Sequence, residues 1–99
     1  MLDKTKILTF LRDNLTELKL NYSILKIGLI GSFARDEQNE ESDIDLLIEF
    51  VPGTTDIYDI KLSLKQYLGS AFNKDIDICR EKYLKPFAKK YLLKEVIYA

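Results

Sequence analysis

The sequence predicts a small α/β domain, a mixed sheet of about three strands flanked by helices in the order α-β-α-β-α-β-α. Three observations carry that prediction. Runs rich in Ile and Leu over residues 24–30, 43–51 and 74–79 are short and bounded by turn residues, as strands are. Around them lie longer stretches whose apolar residues recur at helical spacing. The connections also differ in kind. A short polar loop joins the first two runs and makes them an antiparallel pair. A whole helix joins the second to the third and sets the third parallel to the second, beside it.

In order along the chain, Leu2, Ile7, Leu8, Leu11, Leu15, Leu18 and Leu20 stand among Lys, Asp and Glu, so residues 2–21 read as an amphipathic helix stopping near Asn21. The first strand spans Ile24 to Ile30. A short helix over 32–37 and a solvated loop over 38–42 follow. The second strand, Asp43 to Val51, is ended by Pro52-Gly53. Thr54 or Thr55 caps the next helix, with Asp56 and Asp59 in its acid-favouring first turn. It runs to about Phe72, with Ile57, Ile60, Leu64, Tyr67 and Leu68 inward and Gly69 as a weak point. Lys74 to Cys79 alternates polar with apolar, the mark of a third strand. Pro86 suits the first turn of a final helix reaching about Val96, whose predicted inward face is Phe87, Tyr91, Leu92 and Glu95 or Val96.

Ninety-nine residues suggest one domain, 1–99, with an adequate core. A lone cysteine, Cys79, excludes an internal disulfide and suits a reducing, cytoplasmic setting. No apolar run has the length of a membrane span, and none follows the N-terminus as a secretory signal would require. Net charge is −1 with both signs abundant, which argues against a general nucleic-acid binder. The charges are nonetheless segregated. Residues 36–49 are acidic, whereas Arg80, Lys82, Lys85, Lys89, Lys90 and Lys94 make the C-terminal region basic, a solvated face by default.

The chemistry concentrates in residues 28–48. On a strand, Asp43 and Asp45 project to one side and Ile44 to the other. Adjacent carboxylates repel, which raises the pKa of one unless a cation lies between them. A polar strand entrance facing water would account for either Asp alone. The pair, opening an otherwise apolar strand, offers the hard oxygen ligands a divalent cation takes. Gly31 lets backbone N–H groups approach a phosphate, and the Ser32 hydroxyl can donate to it or cap a helical turn whose N-terminus also favours an anion. The Arg35 guanidinium suits a phosphate and a salt bridge to the acidic loop equally well. On the third strand Asp75 and Asp77, two residues apart, both qualify as a further acidic ligand of the kind two-metal phosphoryl chemistry uses. There is no histidine, which leaves a carboxylate or a metal-held oxygen to take a proton. Cys79 reads as a small buried hydrophobe, and Tyr83, Phe87 and Tyr91 as helix packing, with some of the six tyrosines left for an interface.

Gly31-Ser32, ten intervening residues and Asp43-x-Asp45 together resemble the signature of the DNA polymerase beta-type nucleotidyltransferase superfamily. Phe33-Ala34-Arg35 and Ser42 are similar to its minimal members, the MNT antitoxins paired with a HEPN-domain toxin, and the resemblance spans the chain. Asp36 departs from the pattern, standing where the family usually has glycine. The resemblance implies the polymerase beta-type fold and selects Asp77, since the family's third Asp precedes an apolar pair and a later Leu-Lys-Pro, here Leu84-Lys85-Pro86. It implies that Gly31, Ser32 and Arg35 bind the phosphates of ATP, and that Asp43, Asp45 and Asp77 are catalytic and hold Mg2+, two ions in all. It further implies AMP transfer to a tyrosine hydroxyl of a HEPN toxin, in a hetero-oligomer without membrane or direct nucleic-acid contact. A chain with almost nothing beyond the core would take its second substrate surface from that partner. Two alternatives are a non-catalytic antitoxin that masks its partner and an adenylyltransferase of small hydroxylated molecules.

Overall fold

The computed structural model describes residues 1–99. The chain forms α1 (Lys4–Asp13), α2 (Leu15–Tyr22), β1 (Ile24–Ile30), α3 (Gly31–Ala34), β2 (Ile44–Phe50), α4 (Ile57–Phe72), β3 (Ile76–Arg80), a 3-10 turn (Glu81–Tyr83), α5 (Pro86–Glu95) and β4 (Ile97–Tyr98). The strands make one mixed sheet in the order β3-β2-β1-β4. As the connections predict, β1 and β2 are antiparallel and β2 and β3 parallel. The chain thus has the α/β architecture expected, with no helix long and apolar enough to cross a membrane.

Alternation along β2 divides the sheet. Ile44, Leu46, Ile48 and Phe50 point into a core completed by Ile7, Leu8 and Leu11 of α1, Leu18 of α2, Ile27 and Leu29 of β1, Leu64 and Leu68 of α4, and Ile76 and Ile78 of β3. Full burial of each such side chain contributes about 1.5–3 kcal/mol. Asp45 and Glu49 turn to the other face, and with them Leu47, which is buried but lies outside that core.

Four expectations need correction. The sheet has four strands: β4 pairs antiparallel with Gly28 and Leu29 of β1 and covers that strand's free edge. Two residues are too few to show any alternation in sequence. The N-terminal helix is two helices meeting at Asn14, whose backbone leaves helical geometry (φ −107°, ψ 11°) and whose side chain also donates to the Phe10 carbonyl at 2.8 Å. Leu20, beyond that break, is 78% exposed. The helix expected to be capped by Thr54 or Thr55 begins at Ile57 and has Asp56 at the cap position, in a left-handed conformation (φ 57°), while the Thr54 hydroxyl donates to the Val51 carbonyl. On α5, Phe87 and Tyr91 are 75% and 61% exposed rather than inward, and no residue of α5 is buried. They pack edge to face on each other, with ring centroids 5.0 Å apart. The helix passes directly into β4, so its position is set by that pairing and not by a buried stripe of its own.

Candidate active site

The site is built at the end of the parallel β2–β3 pair. The ladder sets Asp45 opposite Asp77, so the two carboxylates leave adjacent strands from one pleat. Asp43 stands just before β2, two residues from Asp45 and hence on the same side. It is delivered by a tied loop: Asn39 donates its N–H to Ser42 Oγ at 2.9 Å, Glu41 its N–H to Asn39 Oδ1 at 2.8 Å, and Ser42 its N–H to the Asn39 carbonyl at 3.1 Å. Ser42 therefore shapes the approach to Asp43. Lys74, two residues before β3, holds the same loop, its Nζ donating to the Glu40 carbonyl at 2.6 Å. Asp75 lies two residues before Asp77, and its carbonyl accepts from the Ile44 N–H at 3.0 Å, which zips β2 to β3 at their starts.

Asp45 is half-buried, and Asp43 and Asp77 are exposed. Burial, more than anything else, pushes the Asp45 carboxyl above the usual carboxylate range; the charges of Asp77 and then Asp43 add to this, Glu95 adds further, and Arg35 opposes them. No three Asp, Glu, His or Cys side chains stand close enough to enclose a metal ion by themselves. The arrangement still fits Mg2+, which is characteristically held by one or two carboxylates while substrate phosphates and water complete its shell. Asp45, partly out of water between like charges, is the kind of group a dication relieves.

Gly31 faces Asp45 from the other side. β1 ends with Ile30 paired to Asp45, and Gly31 turns away with φ +79°. A Cβ at Gly31 would collide with Asp45 Oδ2, so both the backbone angle and the close approach demand glycine. Phe33 and Ala34, buried in the core, anchor the bend behind it. Ser32 is half-buried beside Gly31, and its carbonyl accepts from the Glu37 N–H at 2.9 Å. Arg35 is exposed. Its Nε donates to Glu37 at 3.0 Å and its Nη1 to both oxygens of Glu95 at 3.2 and 3.3 Å. Glu95 Oε2 also accepts from the Gly31 N–H, at 2.6 Å.

Thus Asp45 meets Asp77 and Gly31 at one corner of the sheet, with the charges of Asp43 and Arg35 near enough to act on it and Ser32 next to Gly31 in the chain. Glu95 joins them without having been a candidate site residue; the sequence signalled only that it, or Val96, lies on the inward face at the end of the predicted final helix. A groove of about 980 Å³ opens between the Glu40–Asp43 loop and α4, with Asp43, Asp75 and Asp77 on its wall. Asp45 and Gly31 lie beyond its lining. Cys79 follows Asp77 by two residues on the same strand. Burial first, then Asp77 and Asp45, push its thiol up, so it stays protonated near neutral pH and is a poor nucleophile.

Comparison with known proteins gives a consistent result. The family described as "Nucleotidyltransferase domain" matches residues 7–99. The chain is 30% identical to the protein adenylyltransferase MntA of Thermococcus cleftensis, over 99% of this chain and 97% of that one. Among solved structures it is similar to one described provisionally as a minimal nucleotidyltransferase, with a TM-score of 0.78 and 30% identity over 97% of this chain and 95% of the other. It also resembles a chain in a toxin-antitoxin crystal structure with AMP-PNP, with a TM-score of 0.65 and 25% identity over 98% of this chain and 72% of that one.

Proposed function

This chain belongs to the nucleotidyltransferase domain family, and we propose that it is a Mg-ATP-dependent protein adenylyltransferase. In this reading it serves as an antitoxin, silencing a HEPN-type toxin by transferring AMP to a tyrosine hydroxyl of that partner. One observation supports this above the rest: the Asp45–Asp77 pair of the parallel ladder lies against a glycine bend that admits no side chain. Two strands supply acid, a third supplies backbone donors, and a triphosphate needs both.

The residues have separable tasks. Gly31 presents its N–H to a phosphate oxygen, with the Ser32 hydroxyl beside it and the Arg35 guanidinium at the rim. Asp43 and Asp45 would hold Mg2+, with Asp77 toward a second ion. The metal's contribution is to neutralise phosphate charge. The acceptor hydroxyl attacks the α-phosphorus, the bond from that phosphorus to the bridging oxygen breaks, and diphosphate leaves. In this reading Asp77, the more exposed of the paired carboxylates, takes the hydroxyl proton in a chain that has no histidine. Most of the rate comes from orientation and charge placement.

The test is direct. The protein is incubated with Mg-ATP and the protein encoded by the adjacent gene, and the intact mass of that neighbour is measured. A gain of one or more AMP units, abolished by Asp43→Asn, is the expected result. A stable complex with no mass gain would leave only a masking antitoxin, and a gain on an aminoglycoside-like compound without the partner would favour a small-molecule enzyme.

A further inference from the structure

We propose that Glu95 is an internal stand-in for a substrate phosphate, a carboxylate that the triphosphate must displace, and that it thereby sets nucleotide affinity. The inference rests on the reading of the Gly31–Arg35 corner as a phosphate site. Glu95 takes up the two kinds of donor that a phosphate would use there: the Gly31 N–H at 2.6 Å and the Arg35 Nη1 at 3.2 and 3.3 Å. Carboxylate and phosphate oxygens accept from such donors with the same geometry, so they cannot share them. Glu95 also adds negative charge to a corner that already holds Asp43, Asp45 and Asp77, and its field reaches Asp45. Left in place it would repel an incoming triphosphate as well as obstruct it.

The fold explains how a residue 64 positions away reaches the bend. β4 pairs antiparallel with β1, Leu29 opposite Ile97. Extending that register by two residues on each side sets Glu95 opposite Gly31. The carboxylate is the last residue of a helix that buries nothing, and its side chain is 21% exposed, so it reaches solvent without any core contact being broken. Arg35 would still pair with Glu37, at 3.0 Å, so its guanidinium remains oriented for a phosphate. The same contacts also fit a purely structural clasp that holds the glycine bend in shape. The two roles predict opposite effects on binding when the carboxylate is removed.

The experiment is calorimetric titration of the wild type, Glu95→Gln and Glu95→Ala with Mg-ATP, with Mg-tripolyphosphate and with adenosine, each protein first shown to melt cooperatively. Gln keeps the shape and an acceptor for the Gly31 N–H while deleting the charge, so the test survives if the Ala variant does not fold. The expected result is roughly tenfold tighter binding of Mg-ATP and tripolyphosphate by both variants, with adenosine unchanged. Equal or weaker binding of both phosphate ligands overturns the inference in favour of the clasp, and leaves the nucleotide reading intact if the wild type binds Mg-ATP. If only tripolyphosphate binds, and more tightly to the variants, Glu95 is an anion stand-in and the nucleotide reading falls instead. If no protein binds any phosphate, both are overturned.

Discussion

Asp36 shows what one side chain can reveal about a backbone. It lies just after α3 with φ 58°, the left-handed region in which glycine is free and aspartate is among the better tolerated alternatives. Its carboxylate meets Lys4 Nζ at 2.9 Å, an exposed pair of small worth. The residue thus fits a left-handed turn position without needing to be glycine. Asp36→Gly should leave thermal stability within about 1 kcal/mol of wild type, whereas Asp36→Val should lose about 1–2 kcal/mol in denaturant unfolding, because a β-branched residue cannot enter that region cheaply. Asp45 presents the opposite case, a residue held at a cost to the fold. Its pKa is higher folded than unfolded, so the folded state keeps the proton longer, and ionising Asp45 draws stability away as pH rises from the ordinary value of 3.8 through the raised one. Asp45→Asn should therefore melt higher than wild type at neutral pH, with the gap closing as pH falls below that ordinary value. Melting curves across pH check the sign, and a gap that widened in acid would refute it.

At the scale of the element, β4 is two residues long yet decides where Glu95 sits. Gly28 makes its pairing possible: a Cβ there would come within 2.5 Å of Val96 Cγ2 and 3.0 Å of the Tyr98 ring. Gly28→Val should push β4 off the edge of β1 and cost about 1–3 kcal/mol, the usual range for overpacking. It should also loosen the Gly31–Glu95 contact. Hydrogen exchange reads both effects as lost protection at the Gly31 and Ala99 amides, the latter bonded to the Ile27 carbonyl at 2.9 Å. Unchanged protection would mean that α5 and β4 are positioned by something other than this ladder. The preceding turn is held differently: Arg80 lies over the Phe50 and Tyr83 rings, at 5.4 and 4.9 Å, and the Lys82 N–H donates to Glu49 at 3.0 Å.

Over the whole molecule, helices α1, α2 and α4 cover one face of the sheet, and the carboxylates project on the other. The division follows from the alternation of β2, whose apolar set joins the core while Asp45 turns away. Phe87 and Tyr91 of α5 and its lysines are exposed as well, a surface of mixed aromatic and basic character. This is a layout in which a second macromolecule can bring an acceptor hydroxyl to the acidic corner, as the proposed reaction requires.

Much of this architecture was legible in the amino-acid sequence because its causes are local. Alternation identified the strands, Pro52-Gly53 and Pro86 placed an end and a beginning, and the spacing of Asp43 and Asp45 put both on one side of a strand. Gly31-Ser32 announced a bend by its own chemistry. Other features depended on which strands meet and in what register. Asp75 and Asp77 were equivalent by alternation until the parallel ladder set Asp77 opposite Asp45; β4 had no pattern of its own; and Glu95 reached Gly31 only through β4. Local sequence determines the conformation of a segment, but hydrogen-bond ladders between distant segments determine which side chains become neighbours, and at this corner it was those ladders that assembled the site.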